Sequence, residues 1–395
     1  MKIQDHSVWK NVSPFKKPAH LLRIFAARKY ASFFPRSKFI GITGSVGKTS
    51  TTKACQAVLS QKYQILATEE NLDPIFNIPI TLLKTRPKTD KVFLEMGVEY
   101  PGEMEFYLSL VKPATAIITR IFYSHSEFLG DLDKIIEEKS LLIKQLPEDG
   151  HAILNWDDPY TRKLVKLTKA NVIFYGFDSK NCHVWASNVK IKNYQTYFEL
   201  NYGVERVEVT LNLLGRHLVY PCLAAASLGL SMGMSLVSIK KGLETLQPAH
   251  HRLQILEGLN GTYVLDDTYN SSPAALEEAI NVLNEVPAKR RIAVLGEMRE
   301  LGQYSKLMHE QIAQKIYKDK VDLVLLGGGE TKFVAEELLS LGFPQERLEV
   351  NLSNSQLVSK ILRVASKGDV ILVKASRAVK LDEVVKRISK NQTVR

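Results

Sequence analysis

Cysteine is scarce in this chain and acid is almost missing from one end, and each absence narrows what the protein can be. Only three cysteines (Cys55, Cys182 and Cys222) occur in 395 residues, at wide spacings and with no CxxC pair. A disulfide framework and a structural zinc site are thereby excluded as first readings, and a reducing cytoplasm is the expected compartment. The N-terminal stretch is basic but has no apolar core and no small-residue cleavage site, so no secretory signal is expected. There is no fixed-period repeat and no low-complexity linker. Long apolar runs are lacking too. The nearest case is the 23 residues between Arg216 and Lys240, which carry no formal charge. They include Pro221, several glycines and serines, and small residues at that density suit a closely packed internal helix rather than a bilayer span.

The shortage of acid is local. Residues 1–40 hold nine bases against one acid, Asp5, and so supply +8 of the total net charge of +11. The other 355 residues share +3. No field of one sign covers the body, which argues against a nucleic-acid-binding protein. The remaining composition, 45% hydrophobic and 24% charged, is that of a globular chain of two or three domains.

Along the chain, Lys38–Thr43 reads as a buried strand running into a glycine turn, followed by a helical pattern from Lys48 to about Gln61. Strand patterns at Val92–Glu95, Thr115–Thr119, Ala152–Asn155 and Val172–Tyr175 alternate with helical stretches. This alternation predicts an α/β fold built on a parallel sheet covered on both faces. Residues 183–213 alternate with period two and suggest an antiparallel appendage. After Gln247-Pro248 the rhythm restarts, with strands at Tyr263–Asp267, Ile292–Gly296, Leu323–Gly327 and Val370–Lys374. A second, Rossmann-like domain is expected there. The expected organisation is a basic arm (1–37), a P-loop-type central ATPase domain (38–248) and a C-terminal domain (249–395).

The strongest local signal is Thr43-Gly44-Ser45-Val46-Gly47-Lys48-Thr49-Ser50, placed between a strand and a helix. Glycines let a backbone wrap phosphate oxygens, and a helix N-terminus adds partial positive charge. Lys48 can reach terminal phosphates, and the Thr49 hydroxyl can ligate Mg²⁺. The eight-residue Walker pattern fails, because its first glycine would fall on Ile42, leaving the shorter T-G-x-x-G-K-T form. Glu95 ends an apolar strand and precedes Met96-Gly97, at the sheet edge where ligands of such folds bind. His125 lies in the loop after the third strand, and Lys139 comes 14 residues later on a helix predicted over 131–144.

Taken together, T-G-x-x-G-K-T, E-M-G and a His and Lys at this spacing resemble the Mur ligase family of ATP-dependent amide-bond ligases. The second half agrees. "VLDDTYNSSP" resembles the family's D-D-S-Y-N-A-N-P, "VLGEMRELG" with His309 resembles V-L-G-D-M-x-E-L-G…H, and "ILVKASR" resembles V-L-V-K-G-S-R. The resemblance covers about residues 38–395. It implies that residues Gly44 to Ser50 hold ATP, with Lys48 and Thr49 on the phosphates and Thr49 and Glu95 on a first Mg²⁺. It implies that His125 helps hold a second Mg²⁺, together with Lys139 carbamylated by CO₂. It also implies that Arg252 sits near the transferred phosphate, Asp267 takes the ribose, and Tyr269 and Asn270 the adenine. The implied activity joins a dipeptide such as D-Ala-D-Ala, or another amine, to a nucleotide-sugar peptide of cell-wall synthesis through an acyl phosphate. ATP would be enclosed between two domains with lid-type gating. A non-catalytic scaffold is disfavoured by the presence of Lys48, Thr49, Glu95, His125, Lys139, Arg252 and Asp267 together. No nucleic-acid partner is expected, and a monomer is the default.

Some family positions differ. Only about 40 residues precede the loop, where the family carries a uridine-nucleotide-binding domain. The family's N-x-N-N-x-x-G-x-P stretch becomes Asn71-Leu72-Asp73-Pro74-Ile75-Phe76-Asn77-Ile78-Pro79, its T-N becomes Thr119-Arg120, and Leu218 and Pro221 replace two asparagines after Gly215 and His217. A related carboxylate lacking a UDP handle is therefore the alternative substrate. The basic arm mixes Leu, Ile, Phe and Tyr with its charges. It is expected either to dock on the ATPase domain near the substrate entrance or to touch anionic membrane.

Overall fold

The computed structural model describes residues 12–13, 15–69, 72–123, 126–192, 194–248 and 250–393. The chain divides into two compact units. The first takes residues up to Asn188 with Phe198–Val209 and Leu218–Leu246, and the second takes Val189–Tyr197, Thr210–His217 and everything from Gln247 onward.

The first unit is organised by β1 (Phe39–Thr43), β2 (Ile65–Ala67), β3 (Lys91–Glu95), β4 (Thr115–Ile118), β5 (His151–Asn155) and β6 (Asn171–Gly176), with the parts of β7 (Val184–Lys192), β8 (Gln195–Tyr202) and β9 (Glu205–Leu211) that fall in it. The strand order is β2-β3-β1-β4-β5-β6-β7-β8-β9, and every pairing from β2 to β7 is parallel. All residues of β1 and β4 are buried, as strands covered on both faces require. The strands β7, β8 and β9 follow one another through two-residue links, which only antiparallel hairpins allow. They extend the same sheet instead of forming a separate appendage.

The helices of this unit are α1 (Lys17–Ala31), α2 (Lys48–Leu59), α3 (Pro74–Lys84), α4 (Glu103–Leu110), α5 (Ser126–Leu129), α6 (Leu132–Lys144), α7 (Val219–Ser231) and α8 (Leu236–Glu244). The uncharged stretch after Arg216 is thus two helices, not one. Gly233, at φ +69°, turns the chain out of α7, and the Ser235 hydroxyl caps α8 by accepting from Ser238 N. Small residues here serve packing: a Cβ on Gly242, in α8 just past that stretch, would lie 2.5 Å from Ala57 O and 2.6 Å from Val58 Cα of α2. Among the described residues no helix is long and apolar enough to cross a membrane. The arm docks as α1, whose Ala27 and Ala31 enter the core of the first unit. The His20 ring lies 4.8 Å from Phe76 of α3, and Tyr30 Oη donates to Thr85 O at 2.8 Å.

The second unit carries β10 (Gln254–Gly258), β11 (Tyr263–Asp267), β12 (Arg291–Gly296), β13 (Leu323–Gly327), β14 (Leu348–Glu349), β15 (Val370–Lys374) and β16 (Ser389–Thr393). Their order is β14-β13-β12-β15-β11-β10-β16. Five strands are parallel, and β10 and β16 add an antiparallel edge that the alternation of strand and helix did not announce. The helices α9 (Pro273–Glu285), α10 (Ser305–Lys318), α11 (Lys332–Ser340), α12 (Asn354–Val364) and α13 (Asp382–Ile388) complete it.

Candidate active site

The glycine loop leaves β1 at Thr43 and enters α2 at Lys48, so its backbone amides meet the N-terminus of a twelve-residue helix. Two glycines make the path possible. Gly44 has φ +146°, and a Cβ there would sit 2.0 Å from Thr119 Oγ1, while Gly47 has φ +80° and nothing near its missing side chain. The loop is tied from outside. Ser45 N donates to Arg120 O at 2.7 Å, Ser45 Oγ donates to Phe122 O at 2.7 Å, and Thr119 Oγ1 donates to Val46 O at 2.6 Å. Lys48 Nζ folds over the turn and donates to Gly44 O at 3.0 Å. An open Gly47, a cradle closed to any Cβ at Gly44 and an ammonium over the turn together fit a bound polyphosphate.

Beside the loop, Thr49 Oγ1 donates to Glu95 Oε1 at 3.0 Å. The parallel pairing of β1 with β3, which sets Ile42 against Glu95, brings this hydroxyl and carboxylate to one sheet edge. Both are hard oxygen donors of the kind Mg²⁺ accepts.

Lys139 lies on α6 with only 1% of its surface exposed. Burial, aided by the charge of Lys48, lowers its pKa to about 7, against the opposing pull of Glu103, Glu138 and Glu99. Glu103 is itself buried. Loss of solvent raises its pKa to about 7, even though its carboxylate accepts from Glu99 N at 2.6 Å and Tyr100 N at 3.1 Å. Glu138 Oε1 accepts from Gly102 N and Met104 N at 3.0 and 2.9 Å, holding the first turn of α4 against α6. The structure thus groups Gly44–Ser50, Glu95 and Lys139 in the first unit. His125, and Asn71 of the altered family stretch, lie outside the described residues. Asp73 of that stretch is the N-cap of α3, accepting from Ile75 N at 2.8 Å.

In the second unit, Arg252 lies between two residues of positive φ, His251 (+60°) and Leu253 (+46°). Its guanidinium carbon stands 4.1 Å from the centroid of the Tyr269 ring, with Arg377 at 5.6 Å from the same ring. Asp267 is buried: Leu253 N donates to one carboxylate oxygen at 3.2 Å, and Lys374 Nζ to the other at 2.5 Å. Lys374 also donates to Asn270 O at 2.8 Å, so one ammonium fixes the backbone on which Tyr269 and Asn270 stand. Sequence reasoning quoted the strand holding Lys374 but gave that lysine no role. It also passed over Glu103, which nothing local marks, and met Thr119 only as the retained half of the altered T-N pair. His309 is a buried neutral imidazole. Its Nδ1 donates to Ser305 O at 2.8 Å, its Nε2 accepts from Met298 N at 3.2 Å, and burial lowers its pKa.

A glycine loop feeding a helix at the carboxyl edge of a parallel sheet, with a hydroxyl–carboxylate pair beside it, defines a P-loop nucleotide-binding protein. Comparison with known families narrows this. The Mur ligase middle domain matches residues 42–229, and the Mur ligase, glutamate ligase domain matches residues 251–377. The chain belongs to the Mur ligase family. It is 32% identical over 351 residues to the UDP-N-acetylmuramoyl-tripeptide–D-alanyl-D-alanine ligase of Bacillus subtilis (strain 168), covering 89% of this chain and 75% of that one. It is 30% identical over 364 residues to the enzyme of the same name from Escherichia coli (strain K12), covering 90% and 78%. A crystal structure of MurF ligase from Thermotoga maritima in complex with ADP is similar at a TM-score of 0.81 and 25% identity, covering 93% of this chain and 83% of that one. MurF from Acinetobacter baumannii shares the fold at a TM-score of 0.84 and 24% identity, covering 93% and 80%.

Proposed function

We propose that this protein is an ATP-dependent carboxylate–amine ligase that joins D-Ala-D-Ala to a UDP-MurNAc-tripeptide in peptidoglycan precursor synthesis. In this reading a substrate carboxylate attacks the γ-phosphorus of ATP and ADP departs, leaving an acyl phosphate. The dipeptide amine then attacks the acyl carbon, phosphate leaves, and the amine sheds a proton. The observation that carries the reading is a fully buried lysine with a pKa of about 7 beside the phosphate loop, in a chain 32% identical to a ligase of that name.

Each residue has a task in it. The loop amides and Lys48 bind the triphosphate and offset the repulsion between two anions. Thr49 and Glu95 would hold Mg²⁺, and His125 with a carbamylated Lys139 would hold a second ion. Such ions, when bound, neutralise charge developing on phosphate oxygens. The lowered pKa of Lys139 favours carbamylation, since only a neutral amine reacts with CO₂ and the product is a carboxylate-like oxygen donor. Arg252, braced on Tyr269, is assigned to the transferred phosphate, Asp267 to the ribose, and Tyr269 and Asn270 to the adenine. The cytoplasm fits three free, buried thiols.

The test is incubation of the purified chain with ATP, Mg²⁺, UDP-MurNAc-tripeptide and D-Ala-D-Ala. Release of phosphate that depends on the dipeptide, with a product heavier by one dipeptide less water, is the expected result. Phosphate release indifferent to the dipeptide would overturn the assignment.

A further inference from the structure

None of the residues assigned to the ligase chemistry lies in the +8 arm, yet its helix is built with two working faces. The inner face of α1 carries Ile24, Ala27 and Ala31, which pack into the core of the first unit. On the opposite side Pro18, Leu22, Phe25 and Lys29 recur at three- and four-residue spacing and so share one stripe. That stripe is open to solvent. Leu22 and Phe25 are each 68% exposed, and the flanking Phe15 and Phe33 are 95% and 73% exposed. Four exposed or half-exposed bases, Lys16, Lys17, Arg28 and Lys29, accompany it. By contrast Arg36 and Lys38 are taken up by the fold, Arg36 on Lys112 O and Pro113 O and Lys38 on Pro87 O. Between Asp5 and Glu69 the sequence contains no acid at all. The helices packed on α1 contribute only Asp73 and Glu105 as exposed acids.

We propose that the outer face of α1 is a peripheral membrane-docking surface that seats the protein on anionic lipid headgroups. Leu22 and Phe25 on the docked helix, with Phe15 and Phe33 at its two ends, are costly in water and gain by entering the headgroup–acyl boundary. Their basic rim matches the negative charge of an anionic leaflet. A second copy of this chain fits the patch poorly, because a two-fold contact would set base against base with no acid in α1 to answer it. Nucleic acid would match the charge but leave the apolar stripe unused. The contact goes beyond the ligase reading and holds whatever the carboxyl substrate is.

Removal of residues 1–35 cannot test this, since it would take Ala27 and Ala31 out of the core. Point substitutions on the full chain can. Wild type should float with vesicles containing one-third phosphatidylglycerol, and should fail to float with pure phosphatidylcholine or in high salt. Lys16→Gln, Lys17→Gln, Arg28→Gln and Lys29→Gln together should lower the partition coefficient by about six-hundredfold, at roughly fivefold per base. Leu22→Ser, Phe25→Ser and Phe33→Ser together should abolish flotation at any salt. Melting temperature and ligase turnover in solution should stay at wild-type values in both variants. Equal binding to neutral vesicles, or none to anionic ones, would overturn the proposal. So would a dimer in solution that the serine variant dissociates, or a single-stranded oligonucleotide that the chain binds in preference to anionic vesicles.

Discussion

Supplying the protein with ¹³C-labelled CO₂ at a fixed partial pressure, and varying the pH, tests the most consequential property of the site. Lys139 has a pKa of about 7, so near neutral pH roughly half of its side chains are neutral amines. An ordinary lysine at the same pH is neutral about 0.04% of the time. The reactive form is therefore enriched about a thousandfold by burial. Carbamate formation also releases a proton. Its population should thus climb about a hundredfold per pH unit below the midpoint, while occupancy is low, and about tenfold per unit just above it. A carbamate carbon besides that of the α-amino group should appear by ¹³C NMR at neutral pH, and trapping followed by peptide mass spectrometry should place it on Lys139. The exposed Lys88 and Lys112 should remain unlabelled under the same conditions. Lys48→Met should move the midpoint of Lys139 upward by part of the shift only, because burial rather than Lys48 is the larger cause. If label on Lys139 appeared only in the alkaline range where exposed lysines react, the argument from burial to chemistry would be refuted.

Three further outcomes follow from the packing. In CO₂-free buffer the wild type should gain stability between pH 7 and 9, by up to about 2–3 kcal/mol, because the unfolded chain keeps its Lys139 proton where the folded chain has lost it. The cost of the buried ammonium is complete below about pH 7 and gone above the unfolded pKa, so urea titrations of Lys139→Met should lack that rise. Gly242→Ala should destabilise by about 1–3 kcal/mol in the same assay, since its Cβ meets the backbone of α2 and not a side chain that can swing away. Lys374→Met should cost about 3–5 kcal/mol by leaving the Asp267 carboxylate buried without its ammonium, and adding Asp267→Asn should restore part of it.

The parts of this protein that were legible in its sequence are those whose chemistry is contiguous. The phosphate loop is one eight-residue string between a strand and a helix, and the buried strands β1, β4, β11 and β15 announce themselves as apolar runs. The antiparallel edge of the second sheet was not legible. Strand β16 belongs to it only by lying beside β10, more than 130 residues earlier in the chain, and pairing at that range leaves no local mark. Helix α1 concealed its design for another reason: with apolar residues on both faces it shows little periodicity, and only docking on α3 separates an inner face from an outer one.

The polar side chains proposed for the two units divide in the same way. The sequence and its family resemblance named Lys48, Thr49, Glu95, Lys139, Arg252 and Asp267. Only the tertiary structure decided that Lys139 is sealed from water among groups brought by α2, α4 and α6, and that Asp267 is held by a lysine 107 residues away. Residue type fixes which proton a side chain can carry. How tightly the proton is held depends on desolvation and on neighbouring charge, and both are set by segments distant in the chain.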